Sequence, residues 1–545
     1  MAKKALRKNE PKLRLTVRHA LTNIYVVLLF TVFPLFLSNY YSAARRDKFW
    51  SFLVITTIIG VAVGIISLVD LFARNNEYNR KLNTYRDPFK VSLTDIALFA
   101  FAGVSFVGTL FSGNVLHSLI GLSGGESNGR NMGLVTILLL FVCYMVISRF
   151  FYYQEYVIYC MFFGMTVVSL LAILNYYYID PLHMFDAYKG SANFNTVTKD
   201  FTSTIGNKNY LSALICVALP FSVGLAVTTK DKILKIVSYV STGLQFMGLL
   251  VATSDGGFLG CFIAFAVIAI VCTKDIMKLC KFCFCVAIMM ASAKTLQLFD
   301  LIMDKNSKGY SSFSEFFIYN NYIFILFVVF FSFAAVLFAI SQKKSDTAML
   351  SKCLFYVVIG IVSAAVLAVA ALIVKYTFID TTTKLEGFRR FLRFNEGWGT
   401  HRGYFWIRTI DIFKESSVFK LLFGSGPDTY YFRFLPYFSE LNVKYNESST
   451  NAAHNVYLNY LITHGILGFG AYLLFVGSSI VRTFKRAADN PLALIALGVI
   501  VAYAVQDFVN IANPVNTPWF FAFIALSEAT LLRANTTERL NQENF

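Results

Sequence analysis

Apolar runs of about 20 residues recur from Leu21 to near the C-terminus. At 1.5 Å of rise per residue, each is about as long as a helix must be to cross roughly 30 Å of hydrocarbon. A bilayer offers the backbone no water, so a spanning segment must satisfy its own N–H and C=O groups, and runs of this length dictate helices. About fourteen spans are expected, near residues 21–39, 51–73, 94–112, 133–149, 157–176, 210–228, 236–253, 257–273, 277–296, 321–341, 353–376, 455–480, 491–509 and 518–533. The fold class is therefore all-α: a polytopic transmembrane helix bundle. Composition excludes a water-soluble fold, because 57% of the residues are apolar and only 14% charged, against about a quarter in soluble domains.

Lys and Arg in short loops resist translocation, so their distribution sets orientation. With the N-terminus inside, the cytoplasmic segments are the N-terminal tail (Lys3, Lys4, Arg7, Lys8), residues 74–90, 149–156, 229–235, 273–281, 341–352 and 482–490, and the C-terminal tail, most of them plainly basic. The opposite set is 113–131, 175–209, 299–320, a long loop at 377–453, and 510–518. Arg45, Arg46 and Lys48 break the pattern, in the first outer loop. An even number of spans puts both termini in the cytoplasm. The basic start feeds a first span with no small-residue cleavage site behind it, so this span is expected to stay as an anchor. The net charge of +17 is scattered through short loops and tails and does not point to nucleic acid. Four regions follow: an N-terminal bundle of about eleven spans (1–376), a large extracytoplasmic loop holding helices (377–453), three C-terminal spans (454–533) and a cytoplasmic tail (534–545).

All nine Cys fall within spans or at their edges, so a disulfide framework is not expected. Cys280, Cys283 and Cys285 have the spacing of soft-metal ligands but no fourth ligand. They read as small packing residues.

The loop and the span after it carry the densest polar pattern. Residues 400–423 read as one helix, with Thr400 as N-cap, Trp406, Ile410 and Phe413 on one face, and Gly424 as the stop. Arg402 and Arg408 lie on it. A Gly424-Ser425-Gly426-Pro427-Asp428 turn follows, and His454 stands where the chain turns back into the membrane. A guanidinium offers a fixed fork of donors to phosphate oxygens, and His moves protons near neutral pH. Together they suggest chemistry on a phosphate-bearing lipid.

These residues resemble the O-antigen ligase and polysaccharide polymerase family: Arg402 ahead of Trp406, Gly424 and Gly426, then Ala453-His454-Asn455 followed by Gly465 and Gly468. Weaker echoes lie in Gly129-Arg130-Asn131-Met132-Gly133-Leu134 and in Thr204-Ile205-Gly206-Asn207-Lys208-Asn209-Tyr210. The resemblance implies a glycosyltransferase-C-like membrane enzyme of the bacterial cytoplasmic membrane, with an extracytoplasmic active site, no metal and no cofactor. Its donor would be an oligosaccharide or polysaccharide on undecaprenyl pyrophosphate, and its acceptor a glycan or lipid. His454 matches the family's essential His, expected to help deprotonate the acceptor hydroxyl. Arg402 matches the loop Arg expected to hold the pyrophosphate. Family members carry Ser-Arg-Gly at the end of a middle span, where this chain has Ser254-Asp255-Gly256. The second cation must come from elsewhere, and Arg130 or the Arg389, Arg390, Arg393 cluster are the candidates. Independently of the family, the first outer loop offers only Asp47 and the long loop no Asp-x-Asp, so a paired-acid metal site is not indicated.

Each residue also has a plainer reading. His454 can satisfy backbone at a helix start, and Arg402 and Arg408 can contact lipid headgroups or acidic neighbours such as Asp411 and Glu415. The Arg389, Arg390, Arg393 run can be a solvated face, and Gly424 and Gly426 can merely permit a turn. His464, ten residues beyond His454 and on nearly the opposite face, is expected to be structural. Asp255 must face a cavity, a partner or the aqueous boundary. Ligase and polymerase are not separated by sequence. The rival of another class is a lipid-linked oligosaccharide flippase, disfavoured because the polar groups concentrate in one loop rather than along the spans.

Overall fold

The computed structural model describes residues 16–38, 44–72, 91–121, 129–191, 194, 198, 202–303, 309–343 and 347–533. The basic N-terminal tail, the 74–90 loop and the C-terminal tail lie outside the described residues.

A helix stands at each expected span. In chain order these are α1 (Val17–Phe30), α2 (Ala44–Phe72), α3 (Leu93–Leu110), α4 (Leu134–Phe150), α5 (Glu155–Tyr176), α6 (Lys208–Thr228), α7 (Lys232–Val251), α8 (Gly256–Cys272), α9 (Ile276–Ile302), α10 (Tyr322–Gln342) and α11 (Ala348–Val374). The loop helices α12 (Trp398–Lys414) and α13 (Val418–Phe423) come next, followed by α14 (Val456–Phe484), α15 (Pro491–Gln506) and α16 (Thr517–Arg533). Among the described residues, eleven helices are long and apolar enough to cross a membrane. The other three, α4, α8 and α16, have 17 residues each, about 25 Å of helix and the short end of the spanning range. The protein is thus an all-α, polytopic membrane protein.

The centre of the bundle is α6, which packs on α7, α8 and α15 and is buried along nearly its whole length. Helices α10 and α11 lie at the periphery and keep most of their apolar surface exposed, as lipid-facing helices do. Two charged groups inside the bundle are paired with each other. Arg149 on α4 meets Asp95 on α3 at 2.7 Å, and Asp95 also receives the Tyr144 hydroxyl at 2.7 Å. All nine cysteines are free. Cys280, Cys283 and Cys285 are buried in α9.

The loop folds as its own small unit. Tyr404, Phe405, Ile412, Tyr430, Phe434, Leu441, Ala453 and Ile462 form a separate apolar cluster, with Trp406 and Phe413 packed against it. The expected single helix over 400–423 is corrected here. Gly399, Thr400 and His401 are all left-handed (φ 60°, 59° and 66°), so regular helix begins at Arg402, and Thr400 is not its cap. A second interruption at Glu415–Ser417 separates α12 from α13. Short helices also stand in two of the segments between spans, Val115–Ile120 and Ser312–Tyr319. Their few apolar residues give no span-length signal.

Candidate functional site

The site is assembled where the loop meets the helix that follows it. Asn455 caps α14 by accepting the Leu458 N–H at 3.0 Å, which fixes the first turn of that helix. His454 immediately precedes the cap at φ 51°, a conformation costly for a residue with a Cβ. Its ring stacks on Phe405 of α12 (centroids 5.6 Å apart, planes 21°). Arg402 is one turn before Phe405 on the same helix, directly after the left-handed triplet, and its Nη1 donates back to the Gly399 carbonyl at 2.7 Å. Its Nε is buried without a partner. Burial lowers the pKa of His454 well below the usual imidazole value, and the positive charges of Arg130 and Arg402 push it further down. The imidazole is therefore neutral at physiological pH and sits within the field of two guanidiniums drawn from distant parts of the sequence.

Arg130 is 7% exposed. Its Nε and Nη2 both donate to Asn451 Oδ1, the former at 2.8 Å, and Nη1 is buried without a partner. What holds it there is Asp428 of the glycine turn. One carboxylate oxygen of Asp428 accepts the backbone N–H of Arg130 at 2.7 Å and of Met132 at 3.1 Å, tying the 129–133 strand of chain to the loop. Burial raises the Asp428 pKa, against which these two N–H donors and the Arg130 charge act. Burial lowers the Arg130 pKa, which Tyr210 and Asp428 offset and Arg45 reinforces. Arg45, which broke the loop-charge pattern, is thus a neighbour of this cation.

The glycine turn does more than reverse the chain. Helix α14 is broken at Gly465 (φ 66°, ψ −175°), and the carbonyls of Ile462 and Thr463 accept the N–H groups of Ser425 (3.2 Å) and Gly426 (2.9 Å). The two backbones approach so closely that a Cβ on Gly424 would lie 2.3 Å from the His464 nitrogen and the Thr463 carbonyl. The turn is thereby welded to α14 two to three turns beyond His454, and it presents Asp428 toward the Arg130 segment.

Asp255 directly precedes α8 without a side-chain capping bond to it, and Ser254 beside it donates to Asn209 Oδ1 at 2.8 Å. Burial raises the Asp255 pKa, and the charges of Arg390 and Arg402 act against that rise. Arg402 feels the reciprocal effect, its pKa lowered by burial and supported by Asp255. Both weaker sequence echoes therefore converge here. The first supplies Arg130, and the second supplies Asn209 next to Ser254 and Tyr210 beside Arg130.

The remaining candidates fall elsewhere. Arg393 ties down the start of the loop by donating to the carbonyls of Tyr376 (3.0 Å), Asp380 (2.9 Å) and Thr383 (2.8 Å). Arg389 is exposed, and Arg390 lies over the Phe391 ring while its charge reaches Asp255. Arg408 pairs with Glu440 (2.8 Å), Asp411 (3.1 Å) and Glu396 (3.8 Å). Glu415 is not among these partners. His464 is buried, stacks on Phe101 (4.9 Å) and bonds Thr463 Oγ1 at 2.8 Å. Asp428, Asn451, Tyr210 and Arg45 were not singled out from sequence. Asp428 stood in the glycine turn, Tyr210 in the second echo and Arg45 among the charges that break the loop pattern, whereas Asn451 carried no signal. Among the described residues, no three His, Cys, Asp or Glu side chains converge as a metal site.

No curated protein matches the chain. The O-antigen ligase family model matches residues 316–473, from the short helix before α10 through the loop and past the break in α14, a segment holding Arg402, the glycine turn and His454 but not Arg130 or Asp255. The match supports an O-antigen ligase-like membrane function in polysaccharide biosynthesis, and the apolar helices support a multi-pass membrane protein. Over this segment, under a third of its length, the chain is similar to the O-antigen ligase family.

Proposed function

We propose that the protein is a glycosyltransferase of the bacterial cytoplasmic membrane that moves or polymerises glycan from an undecaprenyl-pyrophosphate donor at the outer face, without a metal. The observation that carries this reading is the neutral His454 held in the field of Arg130 and Arg402. His454 removes the proton of the acceptor hydroxyl as its oxygen attacks the anomeric carbon. The bond from that carbon to the pyrophosphate oxygen breaks, and its electron pair leaves with the pyrophosphate. The charge growing on the leaving group is met by two fixed guanidiniums, each with a nitrogen buried and unpartnered in the present structure. Such preorganised donors favour the transition state over the ground state. The second cation of the pyrophosphate site is Arg130 in this reading, because its charge acts on His454 while Arg393 is spent on loop carbonyls and Arg389 is exposed.

The same charges couple donor binding to catalysis. With the site empty, two cations keep the imidazole from holding a proton. A pyrophosphate seated between them cancels that field and raises the proton affinity of His454, so the base strengthens when the donor is present. Basic residues of the first outer loop (Arg45), the second (Arg130) and the long loop (Arg402) build one positive site, which fits a donor whose reacting group is a dianion.

The test is reconstitution of the purified protein with lipid-linked glycan, with and without chelator, comparing wild type with His454→Ala and Arg402→Ala. Loss of transfer in both variants and indifference to chelator are expected. Full activity in both variants would overturn the mechanism, and chelator sensitivity would overturn its metal independence. Glycolipid transport surviving both substitutions, with no glycosidic bond formed, would favour a flippase instead.

A further inference from the structure

At the end of the bundle remote from His454, a cavity of about 330 Å³ opens between α7, α9 and α10. Helix α7 measures its distance from the site. Lys235 lies in the first turn of α7, and Ser254 and Asp255 lie just past its last. Twenty residues of helix separate the two ends by about 30 Å, the thickness of the hydrocarbon layer. The walls of the cavity are aromatic, with Tyr239 packed edge-on against Phe284 (5.0 Å) and Phe331 beyond it (6.2 Å). Its outer lip is formed by Phe331, Ala335 and Phe338, on a helix that turns most of its surface to lipid.

Lys235 and Lys281 stand at the head of this slot. The Lys281 ammonium donates to the carbonyls of Val227 (3.1 Å) and Thr229 (3.2 Å), which end α6, so its position is fixed and one N–H remains to give. Lys235 is its cationic neighbour, and neither lysine makes an ion pair among the described residues. The acid nearest Lys281 in charge effect, Asp275, is engaged in capping α9, accepting the N–H groups of Met277 (2.9 Å) and Lys278 (3.2 Å). Two cations without a carboxylate partner, placed above an apolar slot that opens sideways into the bilayer, match a ligand with an anionic head and a hydrocarbon tail. We infer that this groove is a binding site for an anionic phospholipid of the leaflet bordering Lys235. Its phosphate lies between Lys235 and Lys281, and one acyl chain lies along Tyr239, Phe284 and Phe338. Volumes of this size hold a single small ligand, and basic pockets between transmembrane helices recognise anionic headgroups in this way.

The probe is phosphatidylglycerol against phosphatidylcholine of matched chains, titrated onto the purified full-length protein in detergent and read by native mass spectrometry. Wild type is expected to prefer phosphatidylglycerol. Lys235→Gln/Lys281→Gln is expected to lose roughly ten- to thirty-fold in affinity for it, following about 1 kcal/mol per lysine near an anionic surface. Because Lys281 also caps α6 carbonyls, Lys235→Gln alone and Ala335→Trp, which fills the slot while sparing both lysines, provide variants that leave those bonds intact. Both should weaken phosphatidylglycerol binding, and Lys485→Gln, an exposed lysine outside the groove, should not. The inference is overturned if wild type binds the two lipids equally, or if Lys235→Gln and Ala335→Trp both bind phosphatidylglycerol as wild type does. It is also overturned if glycerol phosphate without acyl chains competes as well as the lipid.

Discussion

Replacing Gly424 by Ala asks whether the contact between the loop turn and α14 is what builds the site. Gly424 adopts φ 77°, ψ −168°, a region open essentially to glycine alone, and another residue there costs about 1–3 kcal/mol. Its new methyl would stand 2.3 Å from the His464 nitrogen and the Thr463 carbonyl carbon, both backbone atoms of a buried helix that cannot rotate away. Overpacking of this kind costs about 1–3 kcal/mol more. If the turn instead retreats, it gives up the Ser425 and Gly426 hydrogen bonds to Ile462 and Thr463, each worth about 0.5–1.5 kcal/mol. Either route leads to a loss on the order of 3 kcal/mol or more, and displacement of Asp428 from the Arg130 segment should abolish transfer even in molecules that stay folded. Gly470→Ala is the matched control. It lies on α14 with open space around its Cβ position, where Ala is favoured over Gly by about 0.5–1 kcal/mol. Thermal unfolding of the detergent-solubilised protein and glycan transfer would both be measured. A Gly424→Ala protein that melts with wild type and retains activity would refute the reasoning.

The pH dependence carries a definite sign. The competent form of His454 is neutral, so activity is lost as pH falls through its lowered pKa. The acid limb of kcat/KM, which reports the free enzyme, should therefore lie below pH 6.5, and that of kcat, with donor bound, at higher pH. Limbs in the reverse order would contradict donor-coupled activation. Arg130→Gln should slow transfer and move the kcat/KM limb upward, because one repelling charge is removed; an unmoved limb would separate Arg130 from the site. Asp428→Ala strands two buried N–H donors at a cost of about 1–3 kcal/mol, and should impair transfer more than Asp428→Asn, which keeps an acceptor. His464→Phe preserves the stack on Phe101 and should leave transfer at the wild-type level.

The spans were legible because a bilayer permits one solution to the backbone hydrogen-bond problem, so hydropathy alone located α1 through α11 and α14 through α16. The loop motif was legible in its residue types, since an Arg, a glycine turn and a His mark donors, close backbone approach and proton transfer wherever they fall. What the sequence hid is relational. Nothing local ties Asp428 to Arg130, 298 residues earlier, or announces that Gly465 breaks α14 to free two carbonyls for the turn. The helix expected from Thr400 starts late: its periodicity is sound from Arg402 onward, but three left-handed residues, Gly399, Thr400 and His401, stand ahead of it.

One feature was visible and bears on how such sites are found. Basic residues in short outer loops work against insertion in the correct orientation, so a protein that keeps them there sustains a topological cost. Lys48 offsets its own cost within the fold, fully buried and donating to the carbonyls of Pro34 (3.1 Å) and Phe36 (2.6 Å). Arg45 instead adds to the charge around Arg130, raising the cost of keeping that guanidinium buried. Stability of the empty protein gives no reason for placing like charges together. A dianion bound among them does, since it converts mutual repulsion into attraction for every member at once. Arg45→Gln should on this argument stabilise the empty protein, seen as a higher melting temperature, while weakening its affinity for lipid-linked pyrophosphate, seen as a raised KM. A variant that loses stability and leaves KM unchanged would show that the outer cations serve the fold rather than the donor.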